Sequence, residues 1–272
     1  MTVEGVDGMT QGEIGTEIQR ELEKIQEKEQ VRILLAVESG SRAWGFASPD
    51  SDYDVRFIYM RRSEDYLRLD TLGDVIEWQL DEVLDINGWD LRKALIQFHR
   101  GNATLFEWSH SPIVYRCTDL WRQIYGEAGK CFSQKAAVCH YYGTAKSTYM
   151  GYLQGEEVRY KKYFYALRPL LACRYIEQYG TIPPVPFLEL LQQDLPPEVQ
   201  AEIHNLLERK KVTEEKDLNP RIPVIHHFIG QELERHKALG DAMEDDRCGE
   251  WEGLNSLFRE VLRVSDLWAK GL

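Results

Sequence analysis

Two carboxylates one residue apart, Asp52 and Asp54, follow a Gly40-Ser41 pair after an interval of ten residues. An apolar run, Ile33-Leu34-Leu35-Ala36-Val37, precedes the pair, and Val55-Arg56-Phe57-Ile58-Tyr59 follows the acids. Both runs have the length and composition of buried strands. Side chains alternate along a strand, so Asp52 and Asp54 are expected on one face. Carboxylates so placed suit a hard divalent cation, which takes oxygen ligands and travels with phosphates. The Gly-Ser pair, at the end of the first strand, offers backbone N–H groups and a hydroxyl to phosphate oxygens. Together they predict phosphoryl-group chemistry on a nucleotide. The plain alternative is a turn, because Ser48-Pro49-Asp50-Ser51-Asp52 has ordinary turn composition. Two motif elements at this distance, framed by two strands, favour the chemistry.

The stretch Glu38-Ser39-Gly40-Ser41-Arg42-Ala43-Trp44-Gly45, with Asp52-Tyr53-Asp54, resembles the Gly-Ser-x10-Asp-x-Asp motif of the DNA polymerase β-like nucleotidyltransferase superfamily. Its wording is similar to that of the RNA-ligase-associated group of predicted nucleotidyltransferases. Two later segments extend the resemblance over most of the chain: Leu84-Asp85-Ile86-Asn87-Gly88-Trp89-Asp90-Leu91-Arg92-Lys93-Ala94-Leu95 and Ser111-Pro112-Ile113-Val114-Tyr115. The resemblance implies an enzyme that moves an NMP from an NTP, ATP included, to a hydroxyl and releases pyrophosphate. It implies Mg²⁺, with Mn²⁺ as a substitute, and an RNA end as acceptor.

Two ions clamping an in-line displacement need more than two carboxylates. The superfamily places the third at the end of a neighbouring strand, just before a helix. Asp85 fits that place, with Asp74, Glu77, Asp81 and Glu82 as competitors. On this reading Asp52 and Asp54 hold both ions, and Asp85 holds one and orients or deprotonates the incoming hydroxyl. Gly40 lets backbone approach the triphosphate, Ser41 donates to it and Arg42 adds charge. Trp44 and Phe46 either stack on a base or, the preferred reading, anchor the loop. Two rival functions stay open: nucleotidylation of a protein tyrosine or serine, as in toxin–antitoxin pairs, and a non-catalytic nucleotide sensor. The intact acids argue against the sensor.

These residues need a scaffold. Ile14, Ile18, Leu22 and Ile25 recur at helical spacing and predict a helix over 12–28. Strands are expected over 73–78 and 80–86, and a helix from Trp89 to Arg100. Beyond Thr118, helices are expected over 133–153, 156–179, 197–212, 223–239 and 251–268, with a Pro-rich break at 180–186. The fold class is therefore α+β: a nucleotidyltransferase-type mixed sheet with flanking helices over 1–117, then an all-helical domain over 118–272.

Lys161, Tyr165 and Arg168 fall at i, i+4 and i+7 and share a helix face, placed to reach the β- and γ-phosphates across a cleft. Seven of the 14 tyrosines lie between Tyr141 and Tyr165, among them a Tyr142, Lys146, Tyr149 stripe. Interleaved Lys, Arg and Tyr suits single-stranded nucleic acid, and equally suits helix–helix packing.

Bulk properties exclude some classes. A net charge of −12 argues against nucleic-acid binding over the whole surface, though not against a local basic groove. Five cysteines without a Cys-x-x-Cys pair argue against a disulfide framework and a structural zinc site. No apolar run reaches membrane-spanning length, and residues 1–11 lack the pattern of a secretory signal. A cytoplasmic location is expected.

Overall fold

The computed structural model describes residues 11–48, 51–79, 83–210 and 217–269. Ile14, Ile18, Leu22 and Ile25 form one buried face of helix α1 (Gln11–Glu29), as their spacing dictates. That face covers a five-stranded sheet built from β1 (Arg32–Glu38), β2 (Tyr53–Met60), β3 (Val75–Gln79), β4 (Leu84–Asp90) and β5 (Val114–Cys117). The strand order is β3-β4-β2-β1-β5. β2 and β4 run parallel and the other neighbours antiparallel, so the sheet is mixed. Single-turn helices α2 (Gly40–Ala43) and α3 (Ser63–Tyr66) follow β1 and β2.

The second face of the sheet is covered by α4 (Leu91–His99), α5 (Ala103–Ser109) and α6 (Asp119–Ala128) through residues such as Leu95, Phe106 and Ile124. Helices α7 (Gln134–Tyr152), α8 (Tyr160–Tyr179), α9 (Phe187–Leu190), α10 (Pro197–Lys210) and α11 (Pro223–Ala242) follow. They build a separate core around α8, whose buried residues run round most of its circumference. The last helix, α12 (Glu252–Ala269), returns to the sheet core through Leu254 and Val261. The region beyond residue 118 thus contributes to both cores.

Several boundaries differ from the sequence expectations. The expected helix from Trp89 begins at Leu91, because β4 is carried to Asp90 by ladders on both sides, Ile58 pairing with Trp89 and Val75 with Trp89. Gly88 does not break the strand: the Phe57 ring lies over it, where an added Cβ would meet ring carbon at 2.1 Å. Asp90 then caps α4, its carboxylate accepting the Arg92 N–H at 2.7 Å. Asp85 consequently sits at the head of β4, not at a strand end before a helix. α8 starts only at Tyr160, because β6 (Glu157–Val158) pairs with β7 (Asn219–Pro220) in a two-stranded ribbon.

The cysteine count also misled. Cys131 and Cys248 form a disulfide across 117 residues of sequence, a pairing that local spacing cannot reveal. Cys117, Cys139 and Cys173 are free. No described helix is long and apolar enough to cross a membrane.

Candidate active site

At the end of β1 the buried Glu38 carboxylate accepts the Asp54 N–H at 2.8 Å through Oε1 and the Tyr115 hydroxyl at 2.5 Å through Oε2. The Ser39 N–H donates to the Asp54 carbonyl at 2.8 Å. The backbone of Asp54 is therefore locked to the strand that carries the Gly-Ser pair. Burial pushes the Glu38 carboxyl above its ordinary range, and the two donated hydrogen bonds oppose that shift.

Gly40 has φ +59°, a left-handed conformation natural to glycine. A Cβ on Gly40 would lie 2.2 Å from Asp54 Oδ2. The glycine of the first motif element thus makes room for a carboxylate of the second. Ser41, the next residue, is buried within α2.

Strands β2 and β4 are in register with Asp54 opposite Asp85. Tyr53, Val55, Leu84 and Ile86 alternate with them and enter the core beneath α1. Asp54 and Asp85 accordingly share the opposite, part-open face. Asp52, exposed, stands two residues before Asp54 and just ahead of β2. Burial raises the Asp54 pKa, Arg56 opposes the rise, the charges of Asp85 and Asp52 add to it, and Lys161 lowers it. All three predicted carboxylates, with Lys161 from α8, therefore act on one locus.

Sequence reasoning passed over two members of this locus. Arg56 Nη2 donates to Asp54 Oδ1 at 3.0 Å and to Asp85 Oδ2 at 2.8 Å, while Nη1 donates to the carbonyls of Val55 at 3.1 Å and Asp85 at 3.2 Å. The alternation Asp52-x-Asp54-x-Arg56 already placed Arg56 on the acidic face. Glu38 stands at the head of the motif, but nothing in its spacing signals contact with Asp54.

The competing acids lie elsewhere. Glu77 pairs with Asn87, one strand farther from Asp54 and two residues along β4. Asp74 pairs with Lys93 at 2.9 Å, near the far end of the sheet. Asp81 and Glu82 lie outside the described residues.

Across the motif loop, Phe46 is buried in the helical core, 5.0 Å from the Phe164 ring, and Trp44 meets Tyr165 edge-on at 5.4 Å. Both loop aromatics anchor the loop to α8. Lys161 and Tyr165 sit at this junction, the ammonium 5.9 Å from the ring centroid. Two other predicted phosphate ligands are directed differently. Arg168 is 2% exposed, and its guanidinium donates to Glu107 Oε1 at 2.7 Å and to the Val185 carbonyl at 3.2 Å beside the Trp44 ring. Helical periodicity put it on the face of Lys161, but two turns farther along α8, in the interior. Arg42 donates to the carbonyls of Asp52 and Ser51 and lies over the Tyr53 ring at 3.6 Å, so its charge ties the loop down. In the tyrosine stripe, Tyr149 hydrogen-bonds His226 at 2.9 Å and Tyr142 packs on the helical cores.

The donors on the acidic face are carboxylate oxygens, the chemistry of a hard cation. Among the described residues, no three acidic, His or Cys side chains gather closely enough to share one ion as arranged. Asp54 and Asp85 nevertheless converge on a cation, the Arg56 guanidinium, so their oxygens fit a positive charge between them.

The model of the RNA repair pathway DNA polymerase beta family (RlaP) matches residues 14–260. YcgL, an uncharacterized protein of Bacillus subtilis (strain 168), is 45% identical over 256 residues, 92% of this chain and 96% of its own. The crystal structure of a nucleotidyltransferase-like protein from Exiguobacterium sibiricum 255-15 is similar over 89% of this chain and 80% of that one, with 12% identity and a TM-score of 0.32.

Proposed function

We propose that this chain, which belongs to the RNA repair pathway DNA polymerase beta family and is a nucleotidyltransferase, moves an NMP from an NTP to the hydroxyl of an RNA end. Pyrophosphate is the leaving group. The observation that carries the reading is the facing of Asp54 and Asp85 across parallel strands, with Gly40 packed against the Asp54 carboxylate.

Asp52, Asp54 and Asp85 would hold Mg²⁺ or Mn²⁺. Bound there, the metal would neutralise phosphate charge and clamp the attacking and leaving oxygens. Glu38 and Ser39 fix the Asp54 backbone, so its carboxylate is presented at one place. Lys161 on α8, whose charge reaches Asp54, supplies a positive charge to the triphosphate, with Tyr165 beside it. Gly40 and Ser41 border the phosphates. Asp85, with a side chain 42% exposed, is the group best placed to take the proton of the incoming hydroxyl. That oxygen bonds the α-phosphorus as the bond to pyrophosphate breaks.

The test is incubation with each α-labelled NTP, Mg²⁺ and either RNA of defined ends or cell protein. Label on RNA with release of pyrophosphate supports the reading. Label on protein alone shifts it to protein nucleotidylation, and no transfer to either acceptor overturns it.

A further inference from the structure

Arg56 does more than decorate the acidic face. Asp54 and Asp85 are register partners on adjacent parallel strands, so their Cα atoms lie about 4.8 Å apart. Their carboxylates lean to the same face, with the Asp52 charge nearby. Without a cation between them, like charges would drive the side chains apart. Arg56 is two residues farther along β2 on that face, and its side chain leans back to meet both acids. One nitrogen, Nη2, serves both carboxylates, while Nη1 is tethered to two backbone carbonyls that belong to the sheet ladder. Nη2 occupies Asp54 Oδ1 and Asp85 Oδ2, and a metal ion held by both acids would compete with it for these carboxylates.

Resting on the nucleotidyltransferase reading, we propose that Arg56 is a place-holding cation. In the metal-free protein it keeps Asp54 and Asp85 converged, and an arriving divalent ion displaces Nη2 from both. Guanidinium and metal then exclude one another at these oxygens. The Nη1 tether keeps the released group beside the site, where Nη2 can turn to a phosphate oxygen of the NTP. Arg56 is a positioning residue in the empty site and a phosphate ligand in the filled one.

Exclusion makes an unusual demand: removing the arginine must tighten metal binding. Mn²⁺ titrations followed by electron paramagnetic resonance would compare wild type, Arg56→Met and Arg56→Lys without nucleotide. The expected result is Mn²⁺ binding about two- to fivefold tighter in Arg56→Met, the range of a partly exposed ion pair, with Arg56→Lys between it and wild type. Unchanged or weaker Mn²⁺ binding in Arg56→Met overturns the proposal and leaves the parent reading standing. No Mn²⁺ binding by wild type, matched by Asp54→Asn, overturns both. Should Arg56→Met fail to fold, guanidinium NMR of the wild type decides. Mg²⁺ must shift the Arg56 side-chain resonances, and an Arg56 signal indifferent to saturating Mg²⁺ refutes displacement.

Discussion

Gly40→Ala separates the chemistry of the motif from its backbone conformation. Alanine at φ +59° carries a left-handed strain of roughly 1–2 kcal/mol. Its Cβ would also stand 2.2 Å from Asp54 Oδ2, and the carboxylate must retreat about 1.2 Å to reach the 3.4 Å where ordinary contact begins. The carboxylate is the end of a side chain, so that retreat adds little to the loss of stability. It does break the fit to Arg56 Nη2 and to any shared ligand. A displacement of about 1 Å at a reacting centre can lower turnover roughly a hundredfold. Gly45→Ala is the internal control, since Gly45 has φ +81° but a Cβ there meets nothing within 4 Å. Urea unfolding should therefore show similar losses of roughly 1–2 kcal/mol for the two variants. Transfer of labelled NMP should fall about a hundredfold in Gly40→Ala alone. Equal activities in the two variants would refute the claim that Gly40 exists to seat the Asp54 carboxylate.

Three further outcomes follow from the same geometry. Burial raises the carboxyl pKa of Asp54 and of Glu38, so the stability they lend is full below the unfolded pKa and lost as pH climbs through the folded one. Metal-free protein should thus lose melting temperature as pH rises above the ordinary carboxylate range, less so in Asp54→Asn, which should also be inactive; a loss identical in that variant contradicts the assignment. Arg168→Met leaves the largely covered Glu107 without its cation and should cost about 3 kcal/mol in chemical denaturation, largely restored by adding Glu107→Leu. Nucleotide affinity of folded Arg168→Met should hold within about twofold, and a larger change would return the arginine to the phosphates. Lys161→Ala should weaken NTP binding about ten- to a hundredfold by equilibrium titration, because a charge-assisted phosphate contact is worth roughly 1.5–3 kcal/mol; unchanged affinity would remove Lys161 from the triphosphate.

The parts of the site readable in the sequence are those set by local spacing. Two short apolar runs fixed the strands, alternation fixed the face of Asp54, and the i, i+4 step put Lys161 and Tyr165 together. What pairs with what across the sheet is non-local. The choice of Asp85 came from resemblance; its parallel register opposite Asp54 is seen only in the fold, and the strand end expected beside it was misplaced because β4 runs on to Asp90. Helical periodicity likewise names a face without saying what the face meets. The Lys161 charge reaches Asp54 and lowers its pKa, whereas Arg168, two turns on, pairs with Glu107. Arg42 and Arg56 show the same limit: a cation beside a motif can serve backbone, acids or ligand, and only packing decides.

The central claim is that Asp52, Asp54 and Asp85 form the metal-binding face of a nucleotidyl-transfer site. The most direct test is a crystal of the protein with Mn²⁺ and a non-hydrolysable NTP, read by anomalous scattering. A manganese peak is expected within bonding distance of the Asp54 carboxylate, also ligated by Asp52 or Asp85 and by a phosphate oxygen. Triphosphate and manganese bound together at any place away from Asp54 would contradict it.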